Sequence, residues 1–172
     1  MKKLIFVVVV SLLAGNVFAD SAAKGGEHDG FGIGTVFYGG YGYGPGLLLK
    51  FPVVPLYWGI NVGLREIPDT GTHAGQFFRM SISGDYHFIN RTFPNTEQFG
   101  WFLGGGIMYS HSHFDVKDGF AGRIPVGIYF TPVRRFDIVL EFAPAVGLYT
   151  NYDTTVEFDY GMHGSLGIRY WF

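Results

Sequence analysis

Read on its own, the sequence points to an all-β fold: a closed antiparallel transmembrane β-barrel of eight strands in up-and-down order. The first sign is a two-residue rhythm of apolar and polar side chains. From Arg135 to Tyr149 every even position is apolar (Phe136, Ile138, Leu140, Phe142, Pro144, Val146, Leu148), while the odd positions are mostly charged, small or amphipathic. Such a period belongs to a strand with one greasy face, and this one is longer than the ~5–6 residues usual in a soluble sheet. The second sign is composition: 19% aromatic, with 18 Phe, 11 Tyr and 27 Gly, and only 15% charged. The third is that no apolar run after residue 19 reaches the length of a membrane helix. Hydrocarbon leaves unpaired backbone groups unsatisfied, so a closed sheet is the spanning structure that remains.

Residues 1–19 read as a signal peptide. Lys2 and Lys3 make a cationic start, Leu4 to Leu13 is almost wholly apolar, and Val17-Phe18-Ala19 offers a cleavage site before Asp20. Residues 20–172 then form the barrel domain, with Asp20 to Asp29 as a polar lead-in. The chain has no cysteine, which excludes an N-terminal lipoprotein anchor and a disulfide framework. Of 12 basic and 14 acidic residues two lysines lie in the signal, so the mature chain carries about −4 and lacks the basic footprint of a nucleic-acid binder.

The strands follow in order. The first sets Phe31, Ile33, Thr35 and Phe37 against Gly32, Gly34 and Tyr38; the second sets Tyr41, Tyr43, Leu47, Leu49 and Phe51 against Gly42, Gly44, Gly46 and Lys50. In the third, Leu56, Trp58, Ile60, Val62 and Leu64 face out and Tyr57, Gly59, Asn61, Gly63 and Arg65 face in. The fourth points Phe78, Met80, Ile82, Tyr86 and Phe88 out, and Arg79, Ser81, Ser83, Asp85 and His87 in. The fifth, about Phe99 to Ser110, has Trp101, Leu103, Ile107 and Tyr109 opposite Gly104, Gly106, Met108 and Ser110. The sixth carries Phe120, Ile124, Val126, Ile128 and Phe130 opposite Arg123 and Tyr129. The seventh is the segment from Arg135, and the eighth alternates from Phe158 to Phe172 with His163, Ser165, Arg169 and Trp171 inward. Pro125 and Pro144 fall inside strands and cannot donate to the ladder, which predicts bulges or a bridging water there.

Tight turns are expected at Pro52–Pro55 and Thr131–Arg134, and polar loops at 66–75, 110–119 and 150–157. Short periplasmic turns and longer outer loops are the usual asymmetry of such barrels. Two connections depart from it: Asn90–Gln98 is long for a turn, and Gly39-Gly40 short for a loop.

An eight-stranded barrel is only wide enough inside for side chains to fill. The inward list holds Lys50, Arg79, Asp85, Arg123, Asp137, Glu141 and Arg169, with both signs in similar numbers. Counting back from a turn near Val133 sets Glu141 beside Arg123, and Asp137 and Arg169 share a depth on neighbouring strands. Unpaired buried charge is expensive, so a lumen plugged by ion pairs is expected. The alternative is a narrow pore using the room that the glycines leave.

Two constellations suggest chemistry. His163-Gly164-Ser165 with Glu141 contains the types of a Ser–His–carboxylate nucleophile, but the register points His163 and Ser165 inward, away from lipid. His111, His113 and Asp115 lie close in sequence, but two histidines at i, i+2 fix too few ligands for zinc, and a solvated loop is expected instead. The Asn90-Arg91-Thr92 sequon carries no weight in a periplasmic turn. No catalytic residue, metal ligand or cofactor is therefore assigned, and no enzymatic activity is expected.

The C-terminal segment Gly167-Ile168-Arg169-Tyr170-Trp171-Phe172 resembles the last-strand signal of bacterial outer-membrane barrels: a terminal aromatic, Phe172, preceded at alternate positions by Tyr170, Ile168 and Leu166. By size and layout the mature chain is similar to the small eight-stranded group that includes OmpX, OmpW and the OmpA membrane domain. That resemblance implies residence in the bacterial outer membrane, with its lipid and the barrel-assembly machinery as partners. It also implies extracellular ligands at loops 66–75, 110–119 and 150–157. The function expected is a structural or surface-interaction scaffold with a plugged, charged lumen. An OmpW-like channel or a porin for small solutes is the alternative, and a lipid A-modifying barrel enzyme, as His163-Gly164-Ser165 hints, a lesser one.

Overall fold

The structure, a computed structural model, describes residues 30–40, 44–67, 75–96, 98–112, 117–150 and 155–172. The expected signal peptide, the lead-in to residue 29, Tyr41 to Tyr43, and the centres of the three expected loops lie outside the described residues. So does the side chain of Arg65.

Nine strand segments make one antiparallel sheet: β1 Gly32–Gly40, β2 Gly44–Phe51, β3 Val54–Ile67, β4 Gly75–Thr92, β5 Phe99–Ser112, β6 Lys117–Arg123, β7 Val126–Val133, β8 Phe136–Thr150 and β9 Val156–Trp171. Each pairs with its sequence neighbour, β6 and β7 both lie between β5 and β8, and β1 pairs with β9. The sheet therefore closes, as a barrel of eight staves in up-and-down order, with β6 and β7 as two halves of one stave. Closure removes the exposed edge that an open sheet would carry.

The interruption between β6 and β7 sits at Ile124-Pro125. Bulges or a bridging water were expected at Pro125 and Pro144, and there is no bulge at either. Arg123 pairs with Ala145 and Val126 with Phe142, so the register runs through unshifted. The Gly104 N–H donates to the Pro125 carbonyl at 2.8 Å and the Ile124 N–H to the Pro144 carbonyl at 3.0 Å. A proline has no N–H to return the second bond of such a pair, so the ladder loses bonds without losing register.

Register shifts occur elsewhere, at Lys50/Phe51, His87/Ile89 and Phe130/Val133. Three expected boundaries are corrected. Thr131 to Val133 continue β7, so the tight turn lies at Arg134-Arg135. Asn90 to Thr92 pair with Gly100 to Phe102, which shortens the apparently long connection to a compact turn. That turn contains Asn95 at φ 66°, a left-handed conformation that Asn tolerates. At the opposite end β5 runs on to Ser112, so His111 is a strand residue and not part of a loop tip. Gly44, at φ 111°, opens β2, and there the Asn61 side-chain amide donates to the Gly44 and Pro45 carbonyls at 3.1 and 3.2 Å. A Cβ on Gly44 would stand 2.7 Å from the Val62 carbonyl oxygen, so space and dihedral both demand glycine.

The two faces separate as the alternation requires. Phe37, Leu47, Phe78, Ile107, Phe120, Ile128, Leu148 and Leu166 are among the exposed apolar side chains of the outer wall. Aromatic pairs gather towards its rims. Phe31–Phe51, Phe31–Phe172 and Phe99–Phe130 lie at the turn end, with ring centroids 5.6, 5.7 and 4.4 Å apart. Tyr109–Phe120 lies toward the other end at 5.1 Å.

Candidate functional site: a charged and aromatic lumen

The interior is built by inward residues of every stave, and glycines decide how close they come. Asp85 on β4 and Arg123 on β6 both pair in register with Gly106 on β5. A Cβ on Gly106 would sit 2.0 Å from Asp85 Oδ1, so the missing side chain opens the path across β5. Through it Arg123 Nε approaches Asp85 Oδ1 to 3.1 Å, and Arg123 Nη2 bonds the Glu141 carboxylate. The Arg123–Glu141 contact was expected from direct pairing. The register instead sets Arg123 opposite Ala145 and Glu141 opposite Gly127, and the length of the arginine side chain closes the gap.

A second polar layer lies nearer the turn end. Asp137 and Arg169 are a register pair, and Arg169 Nη2 donates to Asp137 Oδ2 at 3.0 Å. Trp171 Nε1 donates to the same oxygen at 2.7 Å, and the Thr131 hydroxyl to Oδ1 at 2.8 Å. Asp137 is 2% exposed, so these three donors replace the water it would otherwise bind.

Between the layers runs an aromatic deck. The Tyr57 and His87 rings stack at 4.0 Å and 12°, and His87 stacks on Phe102 at 4.2 Å and 8°. The Arg169 guanidinium lies 5.1 Å from the Tyr57 centroid and 4.7 Å from that of Trp171. At the far side Phe102 clusters with Tyr129 and Val139. The deck thus reaches from β9 over β3, β4 and β5 to β7 and β8. A cavity of about 20 Å³ remains beside it, lined by Tyr38, Asp85, His87, Glu141, Ser165 and Arg169 among others. That is room for about one water.

The glycines do leave interior space, but rings from neighbouring staves occupy it. A Cβ on Gly100 would meet the Tyr129 ring at 2.2 Å, on Gly127 the Phe102 ring at 2.4 Å, and on Gly119 the Tyr149 ring at 2.0 Å.

Of the seven expected lumen residues, five thus join two ion-paired layers: Asp85, Arg123 and Glu141 in one, Asp137 and Arg169 in the other. Lys50 is buried and donates to the Phe51 and Val54 carbonyls at 3.2 and 3.4 Å, with its Nζ 5.6 Å from the Tyr57 centroid. Arg79 pairs in register with Gly63 and Ser112, toward the other end. Ser165 lies opposite Glu141 and His163 opposite Ala143, and both side chains are buried on the lumen side. Leu166, Ile168, Tyr170 and Phe172 are exposed on the outer wall. Among the described residues no group of His, Cys, Asp and Glu is placed to hold a metal.

Phe102 was missed because Trp101-Phe102-Leu103 is apolar throughout and the alternation falls silent there. Its even number, shared with the inward Gly104, Gly106 and Met108, is the signal that finds it. Thr131 was missed because it was counted into a turn. At the rim, His111 Nδ1 and the Tyr109 hydroxyl both meet Asp118 Oδ1, at 2.8 and 2.7 Å.

These features define a class: a small closed β-barrel with an apolar outer wall and an ion-paired, aromatic interior. The chain belongs to the family described as "Protein of unknown function (DUF3996)", whose model matches residues 29–170. No curated protein matched it. Among solved structures, Neisserial surface protein A (NspA) is similar at a TM-score of 0.48 and 10% identity, over 83% of this chain and 96% of that one.

Proposed function

We propose that the protein is an outer-membrane β-barrel that acts as a sealed surface scaffold, displaying the β3–β4, β5–β6 and β8–β9 connections to extracellular partners. The observation that carries this reading is the deck of Arg169, Tyr57, His87 and Phe102, with a cavity of about 20 Å³ beside it. A hydrated ion needs a continuous water path, and a one-water void flanked by ion-paired layers offers none. The apolar outer wall supports membrane residence, since a soluble monomer rarely exposes such contiguous apolar surface. The N-terminal signal pattern and the Leu166–Ile168–Tyr170–Phe172 face support export and delivery by the barrel-assembly machinery. No catalytic residue or cofactor enters this reading. The lumen-facing placement of His163 and Ser165 argues against their acting on lipid.

Planar-bilayer recording on the purified, folded protein tests it. The expected result is a quiet membrane at protein levels where a small porin gives steps. Reproducible unitary currents that change in Arg123→Gln or Glu141→Gln would overturn the sealed scaffold in favour of a narrow channel.

A further inference from the structure

The turn end of the barrel carries arginines that the lumen does not use. The register shift between His87 and Ile89 reverses the facing of the last residues of β4. Without it, the alternation that points Asp85 and His87 inward would point Arg91 inward too. With it, Arg91 pairs with Trp101 and is exposed on the outer wall. Two staves further on, the β7–β8 turn exposes Arg134 and Arg135. β5, which links them, carries Phe99, stacked on Phe130 of β7.

Charge and position together select a partner. Among the described residues at this end the one carboxylate side chain is Asp137, which is buried and held by Arg169; Glu97 lies outside the described residues. An arginine on the lipid-facing wall costs ~2–4 kcal/mol at mid-membrane but only about 0–1 kcal/mol near the interface. Arg91 therefore belongs at headgroup level, where the aromatic pair beside it also settles. A guanidinium matches phosphate oxygens two at a time. We infer that Arg91, Arg134 and Arg135 form a binding rim for the phosphate of an anionic glycerophospholipid in the leaflet at the turn end, with Phe99 and Phe130 packing against the chains below it. This inference rests on the membrane reading above.

The test uses the full mature chain folded into phosphatidylcholine vesicles, with phosphatidylglycerol as the probe. Heat-modifiable gel mobility first reports folding in phosphatidylcholine alone. Native mass spectrometry then compares retained phosphatidylglycerol and phosphatidylcholine at equal supply. The wild type is expected to retain phosphatidylglycerol preferentially, with the preference falling in high salt. Each Arg→Gln change should weaken the preference about fivefold. The Arg91→Lys/Arg134→Lys/Arg135→Lys variant, which keeps the charge but not the paired guanidinium donors, should retain less preference than the wild type and more than the triple Gln variant. Equal retention of the two lipids by the wild type, or a preference that survives Arg91→Gln/Arg134→Gln/Arg135→Gln, overturns the rim while leaving the barrel intact. Failure to fold into phosphatidylcholine at all overturns the membrane reading itself, and the rim with it.

Discussion

Asp137 shows how much a single buried carboxylate can organise. It gathers an arginine, an indole and a hydroxyl and so ties three staves together, β9 through Arg169 and Trp171, β7 through Thr131 and β8 through itself. Removing it leaves Arg169 charged, buried and short of its carboxylate. Breaking a buried pair from one side costs about 3–5 kcal/mol, so Asp137→Ala should lower unfolding stability by that order in urea titrations from lipid vesicles. Asp137→Asn, which keeps an acceptor oxygen, should lose less. Equal losses for the two would show that packing, not the acceptor, matters there. The pairing of Asp137 with Arg169 was legible beforehand, because both have inward parity at matching depth. The Trp171 and Thr131 contacts were not, since they depend on where the β7–β8 turn closes.

Strand-level features explain two further behaviours. Pro144 faces Ile124 in a pair that has one of its two hydrogen bonds. Pro144→Val restores a donor opposite the Ile124 carbonyl and should raise stability by about 0.5–1.5 kcal/mol, the net worth of one such bond. An unchanged midpoint in the same titration would show that this carbonyl already has another donor. At the other end of the barrel, β5 and β6 are clasped by Asp118. Its hydrogen bonds with His111 and then Tyr109 hold the carboxyl below its usual range. Because the folded form titrates lower than the unfolded one, the clasp stabilises at pH above the ordinary carboxylate value and is lost as pH falls through the depressed one. Amide protection at Tyr109 to Ser112 and Asp118 to Phe120 should therefore drop in acid, and Asp118→Asn should show no such step. Alternation alone located these strands, but it misjudged their ends. A bulge inserts one residue and reverses the alternation beyond it, so Asn90 to Thr92 and Thr131 to Val133 looked like turn and proved to be strand.

Across the molecule, the same small radius that closes the sheet brings opposite staves within side-chain reach. The deck works only because of that. Tyr57, His87 and Phe102 sit on consecutive staves, and Arg169 reaches Tyr57 from β9 with β1 and β2 between them. Tyr57→Ala/Phe102→Ala removes two of its rings and should turn the quiet barrel into one with steady small unitary currents in planar bilayers. Continued silence, with folding confirmed by gel mobility, would place the seal in the ion-paired layers instead.

Local periodicity determined the closed sheet, its number of staves, and which side chains face outward or into the lumen, because each strand declares its two faces through its own neighbours in sequence. Contacts across the lumen obey no such rule. Whether Arg123 meets Asp85 depends on Gly106 standing empty between them, whether Glu141 is in reach depends on an arginine's length, and whether Arg91 faces outward depends on one inserted residue. Those outcomes follow from distances between staves, which exist only once the ring has closed.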